Sequence, residues 1–200
     1  MYCHTIPNFK LKEASPDNAR EYSTTDMKVR DNKAYLTITN IDSDQVMKFF
    51  DYVSWHPDIK YVIFELFSPG GYMFDAWRIV GFMDLYKDKG YIIETRTYGF
   101  AASAGFLVFA NGSAGHRFAS STAEMMWHEL ITFKLFDISG PADKEDEAKV
   151  LRHLQDTANN WLVKHSKLGK AEWDKKIRKK EFWMNGKEAI EYGISDGIPK

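Results

Sequence analysis

The 200-residue chain reads as an α/β protein built around a parallel sheet. Two observations predict that class. Between residues 34 and 110, short β-rich apolar runs alternate with stretches whose apolar residues recur at helical spacing. Turn chemistry separates the elements: Ser68-Pro69-Gly70-Gly71, Lys89-Gly90 and Asn111-Gly112. Strand–helix–strand alternation needs crossover connections, and crossovers build parallel sheets.

Residues 1–33 are polar with little periodicity and read as an N-terminal arm, leaving 34–200 as one domain. Ala34-Tyr35-Leu36-Thr37-Ile38-Thr39 predicts a strand. Asp42 or Ser43 caps a helix whose apolar face is Val46, Phe49, Phe50 and Val53. Tyr61-Val62-Ile63-Phe64-Glu65-Leu66-Phe67 is long enough for a buried strand. The next helix presents Phe74, Trp77, Ile79, Val80, Met83 and Leu85 on a broad apolar face, and Tyr91-Ile92-Ile93-Glu94-Thr95 forms a further strand. A short apolar helix follows Ser103 and ends at Ala110. Short strands are expected near Arg117-Phe118 and over Glu124-Met125-Met126-Trp127. A long helix should run from Pro141, well suited to a first turn, to Lys167, with Ala148, Leu151, Leu154, Ala158, Trp161 and Leu162 as its apolar positions. A lysine-rich helix then leads to Glu181-Phe182-Trp183-Met184, and a helical turn over 188–192 ends at Gly193.

A net charge of −1 argues against a polyanion-binding protein, and the lysine-rich stretch reads as a solvated helix face. Cys3 is the sole cysteine, which rules out an internal disulfide and a cysteine metal cluster. The start of the chain lacks a basic region followed by an apolar run, and no stretch approaches the roughly 20 apolar residues of a membrane helix. The expectation is a cytoplasmic protein with no metal, cofactor, membrane or nucleic-acid partner. No phosphate-binding Walker loop is present.

Three segments carry chemistry. Consecutive glycines after a buried strand, Gly70-Gly71, let backbone amides approach a ligand and form an oxyanion hole; the plain alternative is a tight turn. Ser103 stands among small residues at a helix start, where its hydroxyl is accessible; the alternative is an N-cap. His128 ends a short apolar strand, and a neutral imidazole there can take a serine proton; the alternative is a hydrogen-bonded structural histidine. His4, His56, His116, His153 and His165 sit in polar or helical contexts and read as surface residues.

Taken in order, Ser68-Pro69-Gly70-Gly71, Ala101-Ala102-Ser103-Ala104-Gly105, Met126-Trp127-His128 and Glu188-Ala189-Ile190-Glu191-Tyr192-Gly193 resemble the proteolytic subunit of the Clp proteases over roughly residues 34–198. The 25-position step from Ser103 to His128 is also that family's register. The resemblance implies a crotonase-like fold of repeated ββα units, with the long helix from Pro141 as a protruding handle. It implies Ser103 as nucleophile, His128 as base and the amides of Gly71 and Ala104 as the oxyanion hole. The acid position falls on Glu181, where many members carry Asp, and Asp174 is the alternative. The segment from Glu129 to Lys134 lacks the Gln-Pro and glycine-rich continuation usual after the base.

The resemblance further implies a heptameric homo-oligomeric ring, possibly stacked as a tetradecamer. It would degrade peptides and unfolded proteins fed by an AAA+ unfoldase. Trp161 and Trp173, read as lying beyond the core, would belong to such contacts. Three rival readings compete: a Ser-Lys peptidase using Lys144, a crotonase-type acyl-CoA hydratase or isomerase, and an inactive ring member.

Overall fold

The computed structural model describes residues 27–130 and 141–199, with 141–144 described by backbone alone. Its first strands are β1 (Met27–Arg30) and β2 (Lys33–Ile38). Asp31 and Asn32 between them both have positive φ, 51° and 56°. That is the geometry of a two-residue hairpin turn, so β1 pairs antiparallel with β2. Regular structure therefore begins inside the segment expected to be an arm.

The crossover units follow: α1 (Ser43–Ser54), β3 (Tyr61–Leu66), α2 (Met73–Asp88), β4 (Ile92–Thr97), β5 (Phe100–Ala102), α3 (Ala104–Ala110), β6 (Arg117–Ala119) and β7 (Glu124–Trp127). Strands β1-β2-β3-β4-β6 form one sheet, parallel except for β1. Its core face presents Leu36, Ile38, Val62, Phe64, Leu66 and Ile93, all buried among residues of α1, α2 and α3. Asp42 is the cap of α1, its carboxylate accepting from the amides of Asp44 and Gln45, and all four residues of the expected apolar face are buried.

The apolar face of α2 differs from expectation. Phe74 and Leu85 are exposed, and the buried stripe is Ala76, Ile79, Val80, Met83 and Tyr86. Tyr86 takes the core position because its hydroxyl donates to the carbonyl of Phe50 at 2.8 Å, leaving its ring free to stack on the Phe50 ring.

The remaining elements are α4 (Pro141–Lys164), α5 (Lys170–Ile177), β8 (Phe182–Asn185) and α6 (Gly186–Glu191). β8 completes a smaller sheet, β5-β7-β8, in which β5 and β7 are parallel and β8 antiparallel. Trp173 of α5 is fully buried against Phe106 and Phe182, so it belongs to the core and needs no partner subunit. Trp161 is half-buried, edge-on to Trp77 and stacked on His165. His56, His116 and His165 are half-buried and bonded to Tyr52, Tyr61 and Trp161, contrary to a surface assignment; His153 is exposed, and His4 lies outside the described residues. Among the described residues, no helix is long and apolar enough to cross a membrane.

Candidate active site

Ser103 occupies the single residue between β5 and α3. Its backbone has φ 52° and ψ −122°, a conformation L-residues rarely adopt and one that costs energy to hold. Neighbouring bonds hold it there. Its amide donates to the carbonyl of Met126 at 2.8 Å, and its carbonyl accepts from the amide of Phe106 at 3.0 Å. The side chain makes no cap hydrogen bond, which removes the plain N-cap reading. Its hydroxyl lies instead 2.8 Å from Nε2 of His128.

The Ser68–Gly71 loop packs directly against this turn. Ser68 pairs with Ala101, its amide donating to Phe100 and its carbonyl accepting from Ala102, each at 3.0 Å. Gly70 has φ +115°, and a Cβ on it would stand 2.8 Å from the Cβ of Ser103 and 3.3 Å from the amide nitrogen of Ala104. Only glycine fits. Gly71 lies beside Ile41, with which it forms an isolated parallel bridge. Ala104 is the first residue of α3, where an amide has no acceptor within the helix.

His128 follows the last residue of β7 and is half-buried. With Nε2 on Ser103, its Nδ1 is the atom available to an acid. Glu181 is exposed, and its Oε2 accepts from Nε1 of Trp183 at 2.9 Å. Among the described residues, no carboxylate hydrogen-bonds to His128. The strand register nevertheless matters here. Met126 pairs with Trp183 and Trp127 with Phe182, so one further step of that register would set His128 opposite Glu181.

Asp174 serves a different network. Its Oδ1 accepts from Nδ2 of the fully buried Asn159 at 2.7 Å, and its Oδ2 accepts from Lys170 at 2.8 Å. Burial pushes the Asp174 carboxyl up, but the bonds from Lys170 and Asn159 outweigh it and hold the group below its ordinary range. Oδ1 of Asn159 accepts in turn from the Trp127 indole and from Gln155, each at 3.0 Å. The Gln155 Oε1 accepts from the amide of Leu130 at 2.6 Å. This network grips the chain on both sides of His128 without touching the imidazole. Sequence reasoning missed Asn159 and Gln155. The available signal was a polar residue, Asn159, between the apolar positions Ala158 and Leu162.

Glu129 is exposed and accepts from the amide of Lys179, whereas 131–134 and the side chain of Lys144 lie outside the described residues. Among the described residues, no group of three or more His, Cys, Asp or Glu side chains is arranged to hold a metal ion.

A family model, Clp protease, matches residues 20–200. The chain belongs to the Clp protease family. The match covers every described residue and begins ahead of β1, in accord with a fold that starts earlier than residue 34. Membership makes the chain a peptidase, and its mixed α/β architecture is consistent with that family.

Proposed function

We propose that the chain is a serine endopeptidase, the proteolytic subunit of an ATP-dependent Clp-type protease, on a crotonase-like scaffold of repeated ββα units with α4 as its handle. The observation that carries the reading is the 2.8 Å contact between Ser103 Oγ and His128 Nε2, made by a serine that caps nothing.

His128 Nε2 accepts the hydroxyl proton as Ser103 Oγ attacks the carbonyl carbon of the scissile peptide. The tetrahedral oxyanion accepts hydrogen bonds from the amides of Gly71 and Ala104. His128 then delivers the proton to the leaving amine, and water hydrolyses the acyl-enzyme with the same base. Glu181 accepts from Nδ1 and fixes the tautomer that presents a bare Nε2 to the serine. Membership in a family of peptidases and the Ser103–His128 contact favour peptide hydrolysis over the acyl-CoA hydratase or isomerase reading.

The reading extends to a cytoplasmic homo-oligomeric ring that takes peptides unaided and folded proteins only from an AAA+ unfoldase. Light scattering tests the assembly: a mass near one 23.2 kDa chain at micromolar concentration rejects a ring, and about seven or fourteen times that value supports one or two. A fluorophosphonate tests the chemistry. Labelling of the parent that vanishes in Ser103→Ala and His128→Ala, and persists in Lys144→Ala, supports the reading. Silence in Lys144→Ala with labelling intact in His128→Ala overturns it.

A further inference from the structure

The Glu181 carboxylate, one residue ahead of β8, has two candidate donors, the indole of Trp183 and the imidazole of His128. The β7–β8 register pairs Trp183 with Met126 and Phe182 with Trp127, and its extension by one step would set Glu181 across from His128. Side chains two apart on a strand share a face, so Trp183 and Met126 project from one side of the small sheet, and the extended register puts Glu181 and His128 on that side too. Directly opposed residues of an antiparallel pair bring their Cβ atoms to about 5 Å, within reach of a glutamate and an imidazole. The carboxylate is engaged elsewhere, with Oε2 on the indole N–H of Trp183 at 2.9 Å. The indole is itself fixed, its ring stacked on Phe100 at 5.8 Å and 20°.

We propose that Trp183 is a positioning residue that governs the acid of the triad: its indole N–H holds Glu181 off His128, and catalysis at full rate requires Glu181 to exchange that bond for one to Nδ1. This inference rests on the peptidase reading above. The indole nitrogen is a donor only, as is a protonated Nδ1, so both can address the Glu181 carboxylate, whose Oε2 the indole already holds. Glu181 is exposed, which leaves the exchange unhindered by packing. The other titratable groups on the two flanking segments do not substitute for it. Glu129 is occupied by the amide of Lys179, and Lys179 and Lys180 are exposed cations with nothing to offer an N–H donor.

The test is Trp183→Phe, which retains an aromatic ring against Phe100 and deletes the donor. Fluorophosphonate labelling of the parent and of Ser103→Ala comes first; a parent that fails to label sinks the peptidase reading itself. In a parent that labels, Trp183→Phe should raise kcat/KM roughly fivefold, the worth of one released hydrogen bond. The acid limb of its pH–rate profile should also move up by about one unit, because a carboxylate brought to Nδ1 favours the imidazolium. Both changes should vanish in Trp183→Phe/Glu181→Gln. NMR titration of the His128 imidazole in the Ser103→Ala background reads the same upward shift without turnover. An unchanged His128 titration and pH profile, or a fall in kcat/KM, overturns the proposal; the fall would make the indole a support for the acid rather than its competitor.

Discussion

Gly70 lies so close to Ser103 that a Cβ on it would stand 2.8 Å from the serine's Cβ, with its own φ at +115°. Both facts penalise any side chain there. Gly70→Ala should therefore push the loop off the serine turn and separate the amides of Gly71 and Ala104. Loss of one oxyanion donor costs about 100- to 1000-fold in kcat, so the variant should lose at least that much peptidase activity. Circular dichroism should show it folded. A Gly70→Ala protein with activity within a few fold of the parent would mean the loop has no part in the chemistry.

Glu181 and Asp174 separate cleanly by what each touches. Glu181 is exposed and bonded only to Trp183 among the described residues, whereas Asp174 anchors Asn159 and Lys170. Glu181→Ala should lower kcat by several orders of magnitude, as loss of a triad acid does, with little change in melting temperature. Asp174→Ala should lower the melting temperature first. If Asp174→Ala is the variant that loses kcat at full stability, the acid has been assigned to the wrong carboxylate.

Asn159 joins strand β7 to helices α4 and α5 through one buried amide, bonded to Trp127, Gln155 and Asp174. Asn159→Leu leaves the Trp127 indole N–H buried without an acceptor. An orphaned buried donor costs about 1–3 kcal/mol. Trp127→Phe removes that donor, so adding it to Asn159→Leu should cost less than adding it to the parent. A double-mutant cycle from urea unfolding should give a coupling of about 0.5 kcal/mol or more. Strict additivity would show that the bond contributes nothing.

What the sequence made legible follows from what it encodes locally. β2, α1, β3 and β4 announce themselves because one side of each packs on a single core, and turn residues bound them. β1 is obscured by two charged residues, Lys28 and Arg30, on an exposed edge strand, and by an Asp31-Asn32 turn without glycine. Trp173 sits in a lysine-rich helix whose pattern suggests solvent, yet the ring fills the space beside Phe106 and Phe182. The pairing of Ser103 with His128 was readable from ordered motifs. The bond from Trp127 to Asn159 spans 32 positions and that from Asn159 to Asp174 spans 15, with no periodicity to flag either. Glu181 was placed by motif, but its engagement with Trp183 depends on rotamers that no spacing rule reports.

Asp196 supplies a pH signature for the clasp that closes the C-terminal segment on β6. Arg117 grips its carboxylate with two bonds, Nε to Oδ2 at 2.9 Å and Nη2 to Oδ1 at 2.7 Å, and its backbone amide adds a third at 3.0 Å. The same guanidinium donates to the carbonyl of His165 at 2.9 Å, tying in the chain just beyond α4. Burial pushes the Asp196 carboxyl up, and the Arg117 bonds outweigh it, so the folded protein holds the group below its ordinary range. Between the folded and unfolded values the unfolded chain binds the proton more readily, so stability rises with pH there. The contribution is complete above the unfolded value, about pH 4, and is lost as pH falls through the folded one. Asp196→Asn should therefore be less stable than the parent at pH 7, with the gap in urea midpoint narrowing below about pH 4. A gap of equal size at pH 7 and pH 2.5 would mean that the aspartate acts through shape and neutral hydrogen bonding, not through its charge.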